Sequence, residues 1–159
     1  MTDDTASLLA RALIDAGGVL AGTSPVLRGQ ARGDHSVPGI GEREMSQVRP
    51  EERTTPPGRF ETRVGRNIAG EDILWIDHGA AVSMHRVRAT EPRERRLQRL
   101  ASPSRADNRI SYGCINVPVV FDEDTVRRLF YAAPGVAYVL PEVGALHEVF
   151  AGRPEAAVS

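Results

Sequence analysis

No lysine occurs anywhere in the chain, so all 20 basic residues are arginines. That absence removes a Schiff-base lysine, a Ser–Lys dyad and a P-loop lysine at once. Cysteine is almost as scarce, since Cys114 stands alone. An intrachain disulfide is therefore impossible, and a zinc site built on several thiolates is excluded. A formal net charge of -1 supplies no bulk attraction for nucleic acid or an anionic membrane. No run approaches the roughly 18 apolar residues that a membrane span requires. The stretch from Ser7 to Asp15 is too short for the apolar region of a signal peptide, and Arg11 and Asp15 interrupt it.

What remains is an ordinary globular composition. A length of 159 residues suits one domain with one core. Hydrophobic residues at 41% and charged residues at 26% place disorder only at the ends. The expected organisation is a disordered segment over 1–10, a folded domain over 11–141, and a partly disordered extension over 142–159.

Short strands dominate the reading. Leu13-Ile14 and Val19-Leu20 flank Gly17-Gly18 as a small hairpin, and Ser24 to Arg28 is a further strand candidate. From Gly29 to Gly58 the chain reads as a long Gly- and Pro-rich loop, a feature more often functional than idle. Thr54 to Phe60 then turns into a strand through about Val64, and further strands follow at Ile73 to Ile76, at Ala81 to Val87 and at Val136 to Leu140. Two helices are expected, over Glu91 to Leu100 and over Asp122 to Ala132. The sum is a mainly β, α+β domain.

Ser111-Tyr112-Gly113-Cys114-Ile115-Asn116 is the most informative segment. A nucleophilic thiol needs exposure, a base, and donors for the oxyanion that forms on attack. Gly113 lets the backbone turn sharply beside the sulfur. By itself the hexapeptide serves equally as a strand turn with a buried thiol. A free thiol is only a few per cent thiolate at neutral pH, so the base should be a histidine. His35 lies in the long loop, His78 in a turn and His147 near the C-terminus, whereas His85 lies inside an expected strand. There it shares a face with Ser83, on an element that holds a side chain more precisely than a loop tip. Alone, His85 also reads as a half-buried strand histidine; together with Cys114 it reads as a base.

These segments resemble the catalytic domain of L,D-transpeptidases (YkuD-type). That family's signature is a His, a variable spacer, then Ser/Thr-His-Gly-Cys, a hydrophobic residue and Asn or Arg. His85, Ser111, Gly113, Cys114, Ile115 and Asn116 match it, and Thr55-Pro56-Pro57-Gly58-Arg59-Phe60 is similar to the family's Thr-Pro-x-Gly-x-Phe segment. The resemblance covers roughly residues 20 to 141. It implies a compact β-sandwich with two short helices, with 11–141 as the catalytic domain. It further implies Cys114 as nucleophile, His85 as base and then acid, and the backbone carbonyl of Arg86 as the third member. Backbone N–H groups of Tyr112, Gly113 and Cys114 would form the oxyanion hole. Ser111, Asn116 and Ser83 would support the site or contact substrate.

Donor and acceptor would both be peptidoglycan stem peptides, without a metal or cofactor, in cell-wall biogenesis within the cell envelope or periplasm. An export segment is then expected ahead of this chain. The same Cys–His site would also serve a peptidoglycan hydrolase, and a chain that lost activity would remain a wall-binding module. Two departures stand out. Tyr112 replaces the motif's His and is placed to line an acyl pocket. The segment between His85 and Cys114 is longer than usual, the excess lying in Glu91 to Asn108 with Arg93, Arg95, Arg96 and Arg99. Those arginines read as a solvated helix face balanced by Glu91 and Glu94, or as an arginine wall over the site.

Overall fold

The computed structural model describes residues 18–151. Its strands are β1 (Arg28–Gly29), β2 (Gly58–Glu61), β3 (Arg63–Arg66), β4 (Asp72–Asp77), β5 (Val82–Arg86), β6 (Arg109–Ser111), β7 (Ile115–Val117) and β8 (Val136–Val139). Helix α1 spans Arg96–Ala101. Helix α2 runs through Val119–Phe121, a π-helical segment at Asp122–Arg127 and a last turn at Arg128–Phe130. Helix α3 spans Leu146–Phe150. Several small sheets and a few short helices make a small α+β domain. Among the described residues, no helix is long and apolar enough to cross a membrane.

The main sheet has the order β3-β4-β5-β7, and β1-β6 and β2-β8 form two further ribbons. Antiparallel pairing joins β3 to β4 and β4 to β5. The edge pair β5–β7 is parallel. Parallel neighbours need a crossover, and here it holds α1 and β6. The apolar run on β4 buries Leu74 and Ile76 with Val82, Val117 and Val126 in the main core. A second cluster joins Leu27, Val87 and Leu100 beneath the crossover. The edge that carries the site is thus supported from both sides.

Several expectations need correction. Val19 and Leu20 are 90% and 45% exposed and form no strand, while Leu13-Ile14 lies outside the described residues. Among the described residues, no strand pairs with Val19 or Leu20. The helix expected over Glu91 to Leu100 is split. Pro92–Glu94 forms a 3-10 turn, Arg95 adopts a left-handed conformation (φ 51°), and α1 begins only afterwards. Pro92 starts the first turn well, but Arg95 redirects the chain so that Leu100 reaches the second cluster. Helix α2 begins three residues early, behind Pro118, and widens where Arg127 Nε donates to Asp122 at 2.8 Å across a five-residue spacing. The long loop from Gly29 is not structureless. It folds into 3-10 turns at Ile40–Glu42, Met45–Gln47 and Pro50–Glu52, with Ile40 and Val48 buried.

The extension after β8 is docked as far as residue 151. Glu142 bridges Arg28, Arg32 and Arg109, and Asp34 accepts from the N–H groups of Glu142, Val143 and Gly144. The Phe150 ring packs edge-on against Tyr138 at 5.9 Å.

Candidate active site

Strand register assembles the site. In the parallel β5–β7 pair, His85 stands opposite Asn116 and Arg86 opposite Val117. Side chains alternate between faces along each strand. Ser83 and His85 therefore share a face with Asn116 and, just ahead of β7, with Cys114. Ser83 Oγ lies 3.5 Å from Cys114 Sγ, and Asn116 Nδ2 lies 3.2 Å from His85 Nε2.

His85 is 8% exposed, and its Nδ1 lies 2.8 Å from the carbonyl oxygen of Arg86. A carbonyl only accepts, so Nδ1 carries the hydrogen and donates it. Nε2 is left with its lone pair, directed at the Asn116 amide. The ring is thus held at one nitrogen and presented as a proton acceptor at the other.

Cys114 is half-buried, and its thiol lies 3.7 Å from the carbonyl oxygen of Ala81. Burial pushes the thiol up, but the influence of the neighbouring His85 and Ser83 outweighs it and leaves Cys114 below its ordinary value. The lowered value raises the thiolate fraction near neutrality, as a nucleophilic role demands.

The turn before Cys114 is tightly specified. Gly113 has φ +130°, and a Cβ there would lie 2.7 Å from the Thr54 carbonyl oxygen. Only glycine fits both conditions. Ser111 Oγ donates to the Cys114 carbonyl at 2.6 Å and accepts from the Gly113 N–H at 3.1 Å. Ser111 is therefore a brace across the turn. The Gly113 N–H, one of three expected to face an oxyanion, is engaged by that brace. Thr55 Oγ1 donates to the Gly113 carbonyl at 2.7 Å and accepts from the Gly29 N–H at 2.9 Å. The Thr-Pro-Pro-Gly segment thus forms the back wall of the cysteine turn.

Tyr112 is half-buried, and its ring carries the Arg53 guanidinium 3.7 Å above its centre. Arg53 is itself held by the Val48 carbonyl and by Gln30. One face of the Tyr112 ring is therefore stacked on the long loop. The other histidines make their contacts elsewhere. His35 Nε2 meets the Glu51 carbonyl at 2.9 Å, His78 packs on Trp75, and His147 is exposed in α3.

Of the crossover arginines Arg93, Arg95, Arg96 and Arg99, the first two are exposed and Arg99 binds the carbonyls of Glu94 and Asp107. Arg96 turns inward. Its Nη1 donates to Asn116 Oδ1 at 2.7 Å, and its Nε bonds Glu94. Sequence reasoning missed Arg96 because nothing distinguishes it within Arg93-Glu94-Arg95-Arg96. The role of Thr55 was hidden too, although the Thr-Pro-Pro-Gly motif pointed at its position.

Among the described residues, no group of three or more His, Cys, Asp or Glu side chains is placed to hold a metal ion. Compared with protein-family models, curated proteins and solved structures, the chain matches none. What the site can do is therefore argued from its own chemistry: a lowered thiol, an imidazole anchored through Nδ1 and a tight glycine turn just before the cysteine.

Proposed function

We propose that the protein is a cysteine acyltransferase of the L,D-transpeptidase type, acting on peptidoglycan stem peptides. One observation carries the reading. The parallel register of β5 and β7 brings Ser83 and His85 against Cys114 and Asn116, with His85 Nδ1 bound to the Arg86 carbonyl. His85, Cys114 and Asn116 are among the residues through which the sequence resembles that family, and their geometry suits the roles the resemblance implies. The finer fold assignment, an L,D-transpeptidase-like β-sandwich, belongs to the same proposal.

Cys114 Sγ attacks the carbonyl carbon between the third residue and the terminal D-alanine of a donor stem. The thiol proton passes to His85 Nε2, and the ring stays anchored through its Nδ1–H on Arg86. Negative charge on the carbonyl oxygen is met by backbone N–H groups of Tyr112 and Cys114, since that of Gly113 is held by Ser111. Collapse of the adduct expels D-alanine, whose nitrogen takes the proton from His85, and leaves a thioester on Cys114. The amine of a second stem gives its proton to His85, attacks the thioester and forms the new amide. The thiol is regenerated in that step. Such chemistry belongs in the cell envelope, in cell-wall biogenesis.

The test is mass spectrometry of disaccharide-tetrapeptide incubated with the protein, with and without a free D-amino acid. Dimers or D-amino-acid exchange are expected, and Cys114→Ala should abolish both. Loss of the terminal residue alone would replace the reading with a hydrolase. Binding to cell wall with no product and no Cys114 alkylation would replace it with a binding module.

A further inference from the structure

Asn116 is fully buried, and both ends of its amide are spoken for. Arg96 Nη1 lies 2.7 Å from Oδ1, and His85 Nε2 lies 3.2 Å from Nδ2. A guanidinium can only donate, so it must face the amide oxygen. The amide NH2 is thereby forced toward His85, where it donates to the Nε2 lone pair. The chain of donors runs from Arg96, seated on Glu94, through Asn116 to His85 and ends at the Arg86 carbonyl.

We propose that Arg96 is a positioning residue for the Cys114–His85 pair: by fixing which way the Asn116 amide points, it keeps His85 Nε2 an acceptor. Arg96 comes from the crossover segment between β5 and β6, so the same segment that lengthens the spacing from His85 to Cys114 supplies the control. The physical consequence concerns proton transfer. If the thiol proton moves to Nε2, the ring N–H then meets the Asn116 N–H, donor against donor. The amide would relieve this by turning its oxygen to the ring, but the turn would put its NH2 against the Arg96 guanidinium. Arg96 therefore disfavours a standing thiolate–imidazolium pair and couples proton transfer to attack on a substrate.

The charged groups around the pair are Arg96 with Glu94, Glu71 with Arg88, and Arg86 with Glu123. Of these, Arg96 alone touches Asn116 among the described residues. The inference rests on reading Cys114 and His85 as nucleophile and base, but its test needs no peptidoglycan.

The rate of Cys114 alkylation by iodoacetamide is measured against pH for the wild type, Arg96→Met and Arg96→Lys. In Arg96→Met the amide is free to turn and accept from the ring. The thiolate then forms more readily, and the midpoint of the profile moves about one pH unit lower. Arg96→Lys keeps a donor toward Oδ1 and should retain the wild-type midpoint. A folded Arg96→Met with an unmoved midpoint overturns the inference, as does Arg96→Lys behaving like Arg96→Met. Should Arg96→Met fail to fold, the wild type itself decides. A through-hydrogen-bond nitrogen coupling between Asn116 Nδ2 and His85 Nε2 is expected in its NMR spectrum, and a ring proton on Nε2 in the resting protein would overturn the inference. Absence of transpeptidation alongside a shifted midpoint would sink the proposed function alone.

Discussion

Replacing Gly113 by alanine separates two costs that are usually confounded. The first is dihedral. A side chain at φ +130° sits in a region that L-residues rarely adopt, costing on the order of 1–3 kcal/mol. The second is steric. The new Cβ would lie 2.7 Å from the Thr54 carbonyl oxygen, where ordinary contact begins at 3.4 Å. The obstacle is backbone within the wall that Thr55 ties to Gly113 and Gly29. Opening a packed contact of this kind costs about 1–3 kcal/mol more. Together the terms come to about 4 kcal/mol, a large share of the 5–15 kcal/mol typical of a domain.

Gly70→Ala provides the internal control, because Gly70 has φ +77° and a Cβ there meets nothing within 4 Å. It should cost about 1 kcal/mol, from the dihedral alone. Urea denaturation at neutral pH reads both variants. With about 3–4 °C lost per kcal/mol in a domain of this size, Gly113→Ala should also melt roughly 12–16 °C below the wild type. The reasoning fails if the two alanine variants lie within about 0.5 kcal/mol of each other. It also fails if Gly113→Ala is folded, stable and alkylated at Cys114 as fast as the wild type.

Ser83→Ala removes a hydroxyl that helps hold the Cys114 thiol below its ordinary value of 9.0, so the alkylation midpoint should rise in pH. A hydrogen bond of about 1 kcal/mol predicts an alkylation rate at pH 7 roughly fivefold slower. Because the folded thiol is lowered, its contribution to stability is full above 9.0 and is lost as pH falls through the folded value. Ser83→Ala should therefore narrow the stability difference between pH 9.5 and pH 7, as followed by urea melts. Glu52 is lowered to about 2 by the Arg49 backbone N–H and the side chains of Arg43 and Arg49. Its contribution is present above the ordinary carboxylate value of 4.5 and is lost as pH falls toward 2. Stability measured from pH 5 down to pH 2 should fall more steeply in the wild type than in Glu52→Gln; parallel curves would refute this.

Local sequence was sufficient for whatever depends on neighbours along the chain. The apolar run Ile73 to Ile76 had to be a buried strand, and β4 is one. Alternation put Ser83 and His85 on one face, and the parallel partner strand preserves that face. Gly113 beside the lone cysteine announced a sharp turn, and its φ agrees. Chain statistics could not anticipate where partners come from at long range. Val19 and Leu20 are apolar enough for a strand but find no partner strand among the described residues. The long loop looked structureless because its order comes from contacts such as Gly39 with Gly79 and Thr55 with Gly113. Arg96 is indistinguishable from the arginines beside it until the left-handed turn at Arg95 aims it at Asn116. The residue types able to do the chemistry were legible in one dimension, whereas their orientation is decided by hydrogen bonds between residues distant in the chain, which only the tertiary structure brings together.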